Sequence, residues 1–232
     1  MLRRSFLLVT LTTLFAASLA GCGSGNGALF SVEQSRLRVV HASPNAPAVD
    51  VRVDDINFLT NVPYRTASGY LTILAGNRNL KVNAAGTETT VINATANFAP
   101  NTRTTVLAVD RLARIEPLIL SDETAAPTSG NIKLRLVHAS PAAGPVDIYI
   151  TAPTADLATA TPTLPNVPFK ANSGYLQVPA GSYRVRITPT GTKTVAIDTG
   201  TVTLTAGQVR TGVAIGDPGV GRPLEAILLA DN

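Results

Sequence analysis

The only two histidines of this 232-residue chain lie in two copies of one short motif, each with a serine and an aspartate nearby. The matched sets are His41, Ser43, Asp50 and His138, Ser140, Asp147. These are the residue types of a hydrolytic triad, in which the imidazole takes the serine proton and the carboxylate orients the ring. Alternatively, such a histidine could act alone as a general base or a metal ligand. The duplicated set is therefore the first candidate for chemistry.

The sequence around this set nevertheless favours a structural role. Residues 37, 39 and 41 share one face of a predicted strand, so His41 continues an apolar stripe and is expected to be buried, with one ring nitrogen donating to a carbonyl or carboxylate. Ser43 precedes a proline in a turn, with no strand-to-helix elbow to expose it, and Ser43 and Ser140 are expected to bond to backbone groups of their turns. Asp50 lies on the polar face of its strand and is expected to bond across strands or to loop amides. We therefore predict no catalytic residue.

The chain also offers few residues that could bind a metal or a cofactor. Each copy offers one histidine, no cysteine and few carboxylates, whereas a metal site usually needs three or four ligands. Tyr70 and Tyr175 follow Ser-Gly in both copies and could stack on a sugar, but the chain has no tryptophan and only 5% aromatic residues, which favours rings packed in a core. No metal and no cofactor are expected. The candidate binding or structural residues are His41, Asp50, His138, Asp147, Tyr70 and Tyr175.

The N-terminus reads as an export signal. A basic start at Arg3 and Arg4 precedes an apolar run from residue 6 to residue 17, and Leu19-Ala20-Gly21-Cys22 follows. This order is typical of a secretory signal peptide, and the last four residues match the lipobox of bacterial lipoproteins. We predict a signal peptide at residues 1–21, with Cys22 as the lipidated residue. The alternatives are an ordinary secreted protein or an uncleaved anchor.

Several acyl chains on one cysteine would hold the protein stably on a membrane. Residues 22–35 are then a flexible tether rich in glycine. The predicted location is the cell envelope, and Gly23 after the cysteine favours the outer membrane, at its periplasmic or surface face, if the cell has two membranes. The paired Arg3-Arg4 leaves a twin-arginine export route open.

The elements that position the duplicated residues are themselves duplicated. Residues 37–44 return as residues 134–141, and the sequence Ser-Gly-Tyr-Leu at 68–71 returns at 173–176. The second copy carries eight extra residues between these motifs, in a Thr/Ala/Pro stretch typical of a surface loop. Self-similarity of this kind indicates one structural unit built twice.

The copies span residues 36–122 and 132–232, with linker composition at residues 123–131. We expect two contacting domains, although one domain with internal pseudo-symmetry would give the same pattern. Alternation of apolar and polar residues, as in Val49-Asp50-Val51-Arg52-Val53, predicts half-buried strands. Turn residues separate seven or eight such strands per copy, and no segment after the signal has a helical period. The expected fold is all-β, with two tandem immunoglobulin-like or transthyretin-like β-sandwich domains.

The charge balance excludes one class of partner. The chain has 19 Lys and Arg against 15 Asp and Glu, and loss of Arg3 and Arg4 with the signal leaves a net charge of +2. No basic run is interleaved with aromatic residues, so no nucleic-acid partner is expected.

The V-H-A-S-P…V-D opening, the S-G-Y-L centre and the P-A-G-S-Y-R-V-R-I hairpin resemble the bacterial family of unknown function DUF4397, over both copies. The resemblance implies a secreted or lipid-anchored envelope protein of β-sandwich repeats, and it supplies no catalytic residues. Copy one departs from it by lacking the counterparts of Pro179 and Tyr183, which predicts a looser hairpin there.

Together these features predict a membrane-anchored, non-catalytic binding or structural module, attached to the membrane through its lipid. Its partner would be an envelope protein or a polymer. The alternatives are a small-molecule or metal-binding receptor and, less favoured, a hydrolase that uses the duplicated set.

Overall fold

Sixteen strands and two single 3-10 turns make up residues 32–232, the part of the chain that the computed structural model describes. The first repeat contains β1 (Gln34–His41), β2 (Val49–Val53), β3 (Ile56–Val62), β4 (Leu71–Leu74), β5 (Gly76–Ala84), β6 (Thr90–Phe98), β7 (Arg103–Val109) and β8 (Glu116–Asp122). The second contains β9 (Asn131–His138), β10 (Val146–Thr151), β11 (Leu164–Val167), β12 (Asn172–Pro179), β13 (Gly181–Pro189), β14 (Ile197–Leu204), β15 (Val209–Asp217) and β16 (Arg222–Ala230). The 3-10 turns are Leu112–Arg114 and Pro218–Val220.

These strands form four sheets of four strands, two in each repeat. The first repeat has an inner sheet of order β4-β1-β7-β8 and an outer sheet of order β3-β2-β5-β6; the second has an inner sheet of order β12-β9-β15-β16 and an outer sheet of order β11-β10-β13-β14. All paired strands are antiparallel except β1 with β7 and β9 with β15. The prediction of an all-β chain with two tandem β-sandwiches is confirmed.

Each repeat has its own apolar core between its inner and outer sheets. Leu37 and Val39 of β1 pack there with Val51 of β2 and Phe98 of β6, as expected when alternate residues of a strand point to one face. The matching core of the second repeat contains Leu134, Leu136, Ile148 and Ile187, among others.

A third core joins the two repeats. Val40 and Leu107 of the first inner sheet pack against Val137, Val213 and Ile215 of the second, so the central strands of both inner sheets are buried on both faces. Residues 32–232 accordingly form one compact unit. This arrangement explains why β1 and β9 have buried residues on both faces, Leu37 and Val40 in β1 and Leu134 and Val137 in β9.

The repeats match in unusual backbone conformations as well as in strand order. Asn61 and Asn166 have φ angles of 52° and 51°, and Arg65 and Lys170 both have φ of 70°. The repeats differ at the connection between β10 and β11, which holds the extra residues. They also differ at the hairpin that departs from the family pattern, where edge strand β4 has four residues and its counterpart β12 has eight.

No helix in residues 32–232 is long and apolar enough to cross a membrane. The predicted signal peptide, Cys22 and most of the predicted tether lie outside the described residues.

Candidate functional site: the duplicated polar set

The two histidines lie at the ends of β1 and β9 and are almost completely buried. The Nε2 atom of His41 lies 2.9 Å from the carbonyl oxygen of Pro47, and its Nδ1 accepts a hydrogen bond of 3.3 Å from the amide of Ser43. Because a carbonyl can only accept and an amide N–H can only donate, the ring is neutral, with its proton on Nε2. His138 repeats the pattern, with Gly144 and Ser140 as its partners at 2.8 Å and 3.3 Å.

Both ring nitrogens are thus occupied by the backbone of the turn that follows the strand. Burial lowers the pKa of His41 and His138 below the ordinary value, and the hydrogen bond to the carbonyl opposes this only in part. An imidazole that is neutral, buried and bonded through both nitrogens holds a turn in place and has no free atom for a proton transfer.

The serine hydroxyls do not bond to the histidines. The Ser140 hydroxyl donates to the carbonyl oxygen of Gly216 at 2.7 Å. The Ser43 hydroxyl is buried and has no hydrogen-bond partner within residues 32–232, so it does not serve the turn backbone in the way the sequence predicts for it. Neither serine is activated by a base.

The aspartates fix the chain in conformations that most side chains avoid. Asp50 accepts hydrogen bonds from the amides of Asn61 at 2.7 Å and Gly86 at 2.9 Å, and both of those residues have positive φ. These two amides lower the pKa of Asp50. The second repeat has the same arrangement, in which Asp147 accepts from Asn166 and Gly191. The Val-Asp of the repeated motif therefore clamps two turns to one strand.

The two tyrosines lie between the repeats. The Tyr70 hydroxyl donates to Asp122 at 2.8 Å, and the Tyr175 hydroxyl donates to Asp231 at 3.0 Å. An arginine guanidinium lies 4.6 Å from the centre of each ring, Arg38 over Tyr70 and Arg135 over Tyr175. Burial, the largest cause, raises the pKa of both tyrosines well above its usual range.

These contacts belong to a buried charged network in which the arginine of each repeat binds an aspartate of the other. Arg38 of β1 donates to Thr105 of its own repeat and, at 2.6 Å, to Asp231 of the other. In return, Arg135 of β9 donates to Thr211 of its own repeat and forms an ion pair with Asp122. The arginines and aspartates in these pairs have side chains at most 3% exposed.

Every carboxylate oxygen of the network has a donor. Asp122 receives Arg135 on one oxygen and Thr105 and Tyr70 on the other. Asp231 has the equivalent donors Arg38, Thr211 and Tyr175. A buried charge pair is tolerated when its remaining lone pairs are satisfied in this way. The network is therefore a pseudo-symmetric, self-complementary joint, of the kind that two-fold symmetry produces in dimers.

The sequence interpretation missed this network. It placed Leu37, Val39 and His41 on one face of β1 and gave Arg38 no role, although Val40 on the same face as Arg38 is apolar. The available signal was an arginine repeated at the same place in two strands, followed on the same face by a valine in each, together with an aspartate repeated at the end of each copy.

A second set of ion pairs surrounds the joint. Arg111 binds the buried Asp217 of the other repeat through two bonds of 2.5 Å and 3.0 Å, which lowers the pKa of Asp217. The half-exposed pairs Arg65–Glu225 and Lys170–Glu116 join the repeats reciprocally at 2.6 Å and 2.8 Å. Within residues 32–232, no group of three or more His, Cys, Asp or Glu side chains is placed to hold a metal ion.

The fold and this site define a class: tandem β-sandwich repeats whose recurring polar residues bond to turns and to a shared interface. The chain belongs to the family described as a domain of unknown function, DUF4397, whose model matches residues 35–149 and 151–232. Among curated proteins, no match was found.

Several solved structures are similar over most of their length. One concerns α-glucan binding by a streptococcal virulence factor, with 10% identity, 77% of this chain and 92% of the other covered, and a TM-score of 0.26. Another is the family CBM26 module of Eubacterium rectale Amy13K in complex with maltoheptaose, with 11% identity, 84% and 96% covered, and a TM-score of 0.27. A third concerns family 41 carbohydrate-binding modules from streptococcal virulence factors, with 15% identity, 83% and 96% covered, and a TM-score of 0.27. At these scores the similarity carries no argument about a ligand.

Proposed function

We propose that this chain is a cell-envelope lipoprotein, anchored through a lipid on Cys22, whose two β-sandwiches form one non-catalytic binding or structural module. The support for the anchor is the order of basic start, apolar run and lipobox in residues 1–22. For a cell with two membranes, we propose the outer membrane as its location, on the periplasmic or surface face.

One observation carries the non-catalytic part of the proposal. The polar groups that could form a reactive centre are bonded to the backbone: His41 to a turn carbonyl and amide, and Asp50 to two turn amides. In the second repeat, His138 and Asp147 bond to backbone groups of turns in the same way. A reactive centre needs a nucleophile within reach of a free base, and these residues leave no such base.

The joint between the repeats favours a polymer or an extended surface as partner. Two sandwiches of the same strand order, joined by buried ion pairs, are held at one fixed spacing. When a ligand has repeating chemistry, the second contact on such a protein is intramolecular and raises the overall affinity without any new kind of contact.

Fractionation of cells tests the anchor. We expect the wild-type protein and a Ser24→Ala control in the membrane fraction and carrying a metabolically supplied fatty-acid label, whereas Cys22→Ala should be unlabelled and released. A Cys22→Ala protein that stays on the membrane would contradict the proposal.

Ser43→Ala tests the absence of catalysis, because the Ser43 hydroxyl has no partner within residues 32–232 and its removal should leave the fold intact. Ester, peptide and glycoside substrates should be turned over by neither the wild type nor this variant. A turnover present in the wild type and lost in Ser43→Ala would restore the hydrolase alternative.

A further inference from the structure

The sandwich of the second repeat contains a cavity of about 390 Å³ between its two sheets. It lies on the side of β14 and β16 and reaches inward to β9, β13 and β15. Its walls include six core residues, Leu134, Leu136, Ile148, Val185, Ile197 and Leu204. The volume falls within the range of about 300–1,000 Å³ that is usual for small-molecule sites.

Two differences between the repeats account for space at this position. In the first repeat Phe98 pairs with Gly76 and is completely buried in the core. At the matching place in the second repeat the smaller Leu204 pairs with Gly181.

The second difference lies in the central strand of the inner sheet. Val106 pairs with Val39 in the first repeat, whereas Gly212 pairs with Leu136 in the second. A Cβ atom on Gly212 would lie 2.9 Å from a Leu136 methyl group, so Leu136 fills part of the space that the missing valine leaves. Phenylalanine and valine together are thus replaced by leucine and glycine around the cavity.

The walls are mostly aliphatic, with polar side chains at Tyr183, Asp198, Thr199 and Glu225. Tyr183 is the single aromatic residue of the lining, and its hydroxyl donates to the carbonyl oxygen of Pro179 at 2.7 Å. Thr199 bonds to the backbone through its hydroxyl. None of the lining residues has a buried polar side-chain atom without a partner within residues 32–232.

The charges at the rim are likewise paired. Asp198 binds Arg184, which lowers its pKa to about 2, and Glu225 binds Arg65 of the first repeat. Burying a sugar here would leave its hydroxyl groups without partners, at a high cost in desolvation. A hydrocarbon needs no hydrogen-bond partner there, and apolar cavities bind apolar molecules.

We propose that this cavity binds one linear aliphatic chain of a single-chain amphiphile, with the tail between the sheets and the head group at the rim beside the exposed Leu228. A methylene group occupies about as much space as a water molecule in the liquid, about 30 Å³, so the cavity holds on the order of ten chain atoms. That is enough for one tail and too little for a two-chain lipid. The proposal adds a ligand to the binding role proposed above, at a site separate from any polymer contact, and it does not depend on the anchor.

Calorimetric titration with 1-decanol tests it directly. The full chain should carry Cys22→Ala, so that neither its own lipid nor a solubilising detergent competes for the cavity. We expect one decanol per chain and no heat with maltoheptaose. Leu204→Phe, which introduces the residue of the first repeat, should weaken decanol binding at least tenfold. The matched control Phe98→Leu makes the reverse exchange outside the cavity and should leave the affinity at this site within twofold.

Methyl NMR spectra give a second measurement, which distinguishes loss of the binding site from a folding defect. Decanol should shift the methyl resonances of Val185 and Leu204 and leave those of Leu37 in the first repeat unchanged. If Leu204→Phe does not fold, Ala226→Leu, at an exposed position of the cavity lining, should weaken binding in its place.

Absent decanol binding, or equal binding by the filled variant, would overturn the site. If phosphatidylcholine vesicles bind the wild-type protein and not Leu204→Phe, the cavity takes an acyl chain of a two-chain membrane lipid. That result would overturn the proposal of a single-chain ligand. Failure of the Cys22 experiment would bear on the anchor alone.

Discussion

Replacing Asp231 by alanine perturbs the joint between the repeats at its most buried point. Asp231 accepts hydrogen bonds from Arg38 of the first repeat and from Thr211 and Tyr175 of its own. The Arg38 side chain is only 3% exposed, so water cannot readily replace the lost carboxylate. The variant therefore leaves a buried guanidinium without its main counter-charge.

The magnitude follows from that uncompensated charge. Removal of one partner of a buried ion pair costs about 3–5 kcal/mol, which is a large part of the total stability of about 5–15 kcal/mol that is typical of a protein. Arg38 keeps its bonds to Thr105 and to the Ala230 carbonyl, and Asp122 lies 3.9 Å away. We therefore expect the lower end of the range, about 3 kcal/mol.

Urea unfolding measures the effect. Asp122→Ala should cost a similar amount, since Asp122 occupies the matching place in the other repeat. Asp198→Ala is the control, because it breaks an ion pair with Arg184 that is about one-third exposed and should cost about 0–1 kcal/mol. The double variant Arg38→Met with Asp231→Leu should recover most of the loss, since apolar residues can replace a buried pair at little cost.

A loss below about 1 kcal/mol in Asp231→Ala, equal to that of the exposed control, would refute this reasoning. It would mean that water reaches Arg38 in solution. A double variant as unstable as Asp231→Ala alone would show that the loss comes from packing and not from the stranded charge.

Two further predictions concern the duplicated motif and the end of β15. Burial lowers the pKa of His41 and His138 below 6.5, so the unfolded chain binds more protons in acid than the folded one does. The contribution of the two histidines to stability should therefore be complete above pH 6.5 and should fall below that pH. The loss should be up to about 1.4 kcal/mol per pH unit for each histidine. Urea unfolding at pH 7.5 and 5.5 checks this, and equal stability at the two values would contradict it. Gly216→Ala should destabilise the protein by well over 1 kcal/mol, because Gly216 has φ of +112° and a Cβ there would lie 2.2 Å from the Pro223 carbonyl oxygen. The control is Gly69→Ala, which has open space around the new Cβ. Its stability should stay within about 0.5 kcal/mol of wild type in the same assay.

The fold class was accessible from the sequence because strand periodicity and turn residues are local signals. The alternation in Val49-Asp50-Val51 and the repeat of the whole motif predicted two β-sandwiches, and the structure has them. The burial of His41 was also accessible, since it continues the stripe of Leu37 and Val39 on one strand face.

Contacts between the repeats could not be predicted from the sequence in this way. Whether the second face of β1 meets water or another sheet depends on residues about a hundred positions away, and no local signal marks Arg38 on that face as buried. Its partner Asp231 is 193 residues distant, and no local pattern connects the two. The cavity of the second repeat depends on small differences, Leu204 for Phe98 and Gly212 for Val106, whose effect appears only when the two sheets are packed.

The central claim is that the duplicated motif builds one module from two repeats. Scanning calorimetry of the full chain carrying Cys22→Ala tests it most directly, because a cooperative unit gives equal calorimetric and van't Hoff enthalpies. We expect a single unfolding transition for residues 32–232 with a ratio of the two enthalpies near one. Two separate transitions, one for each repeat, would contradict the claim.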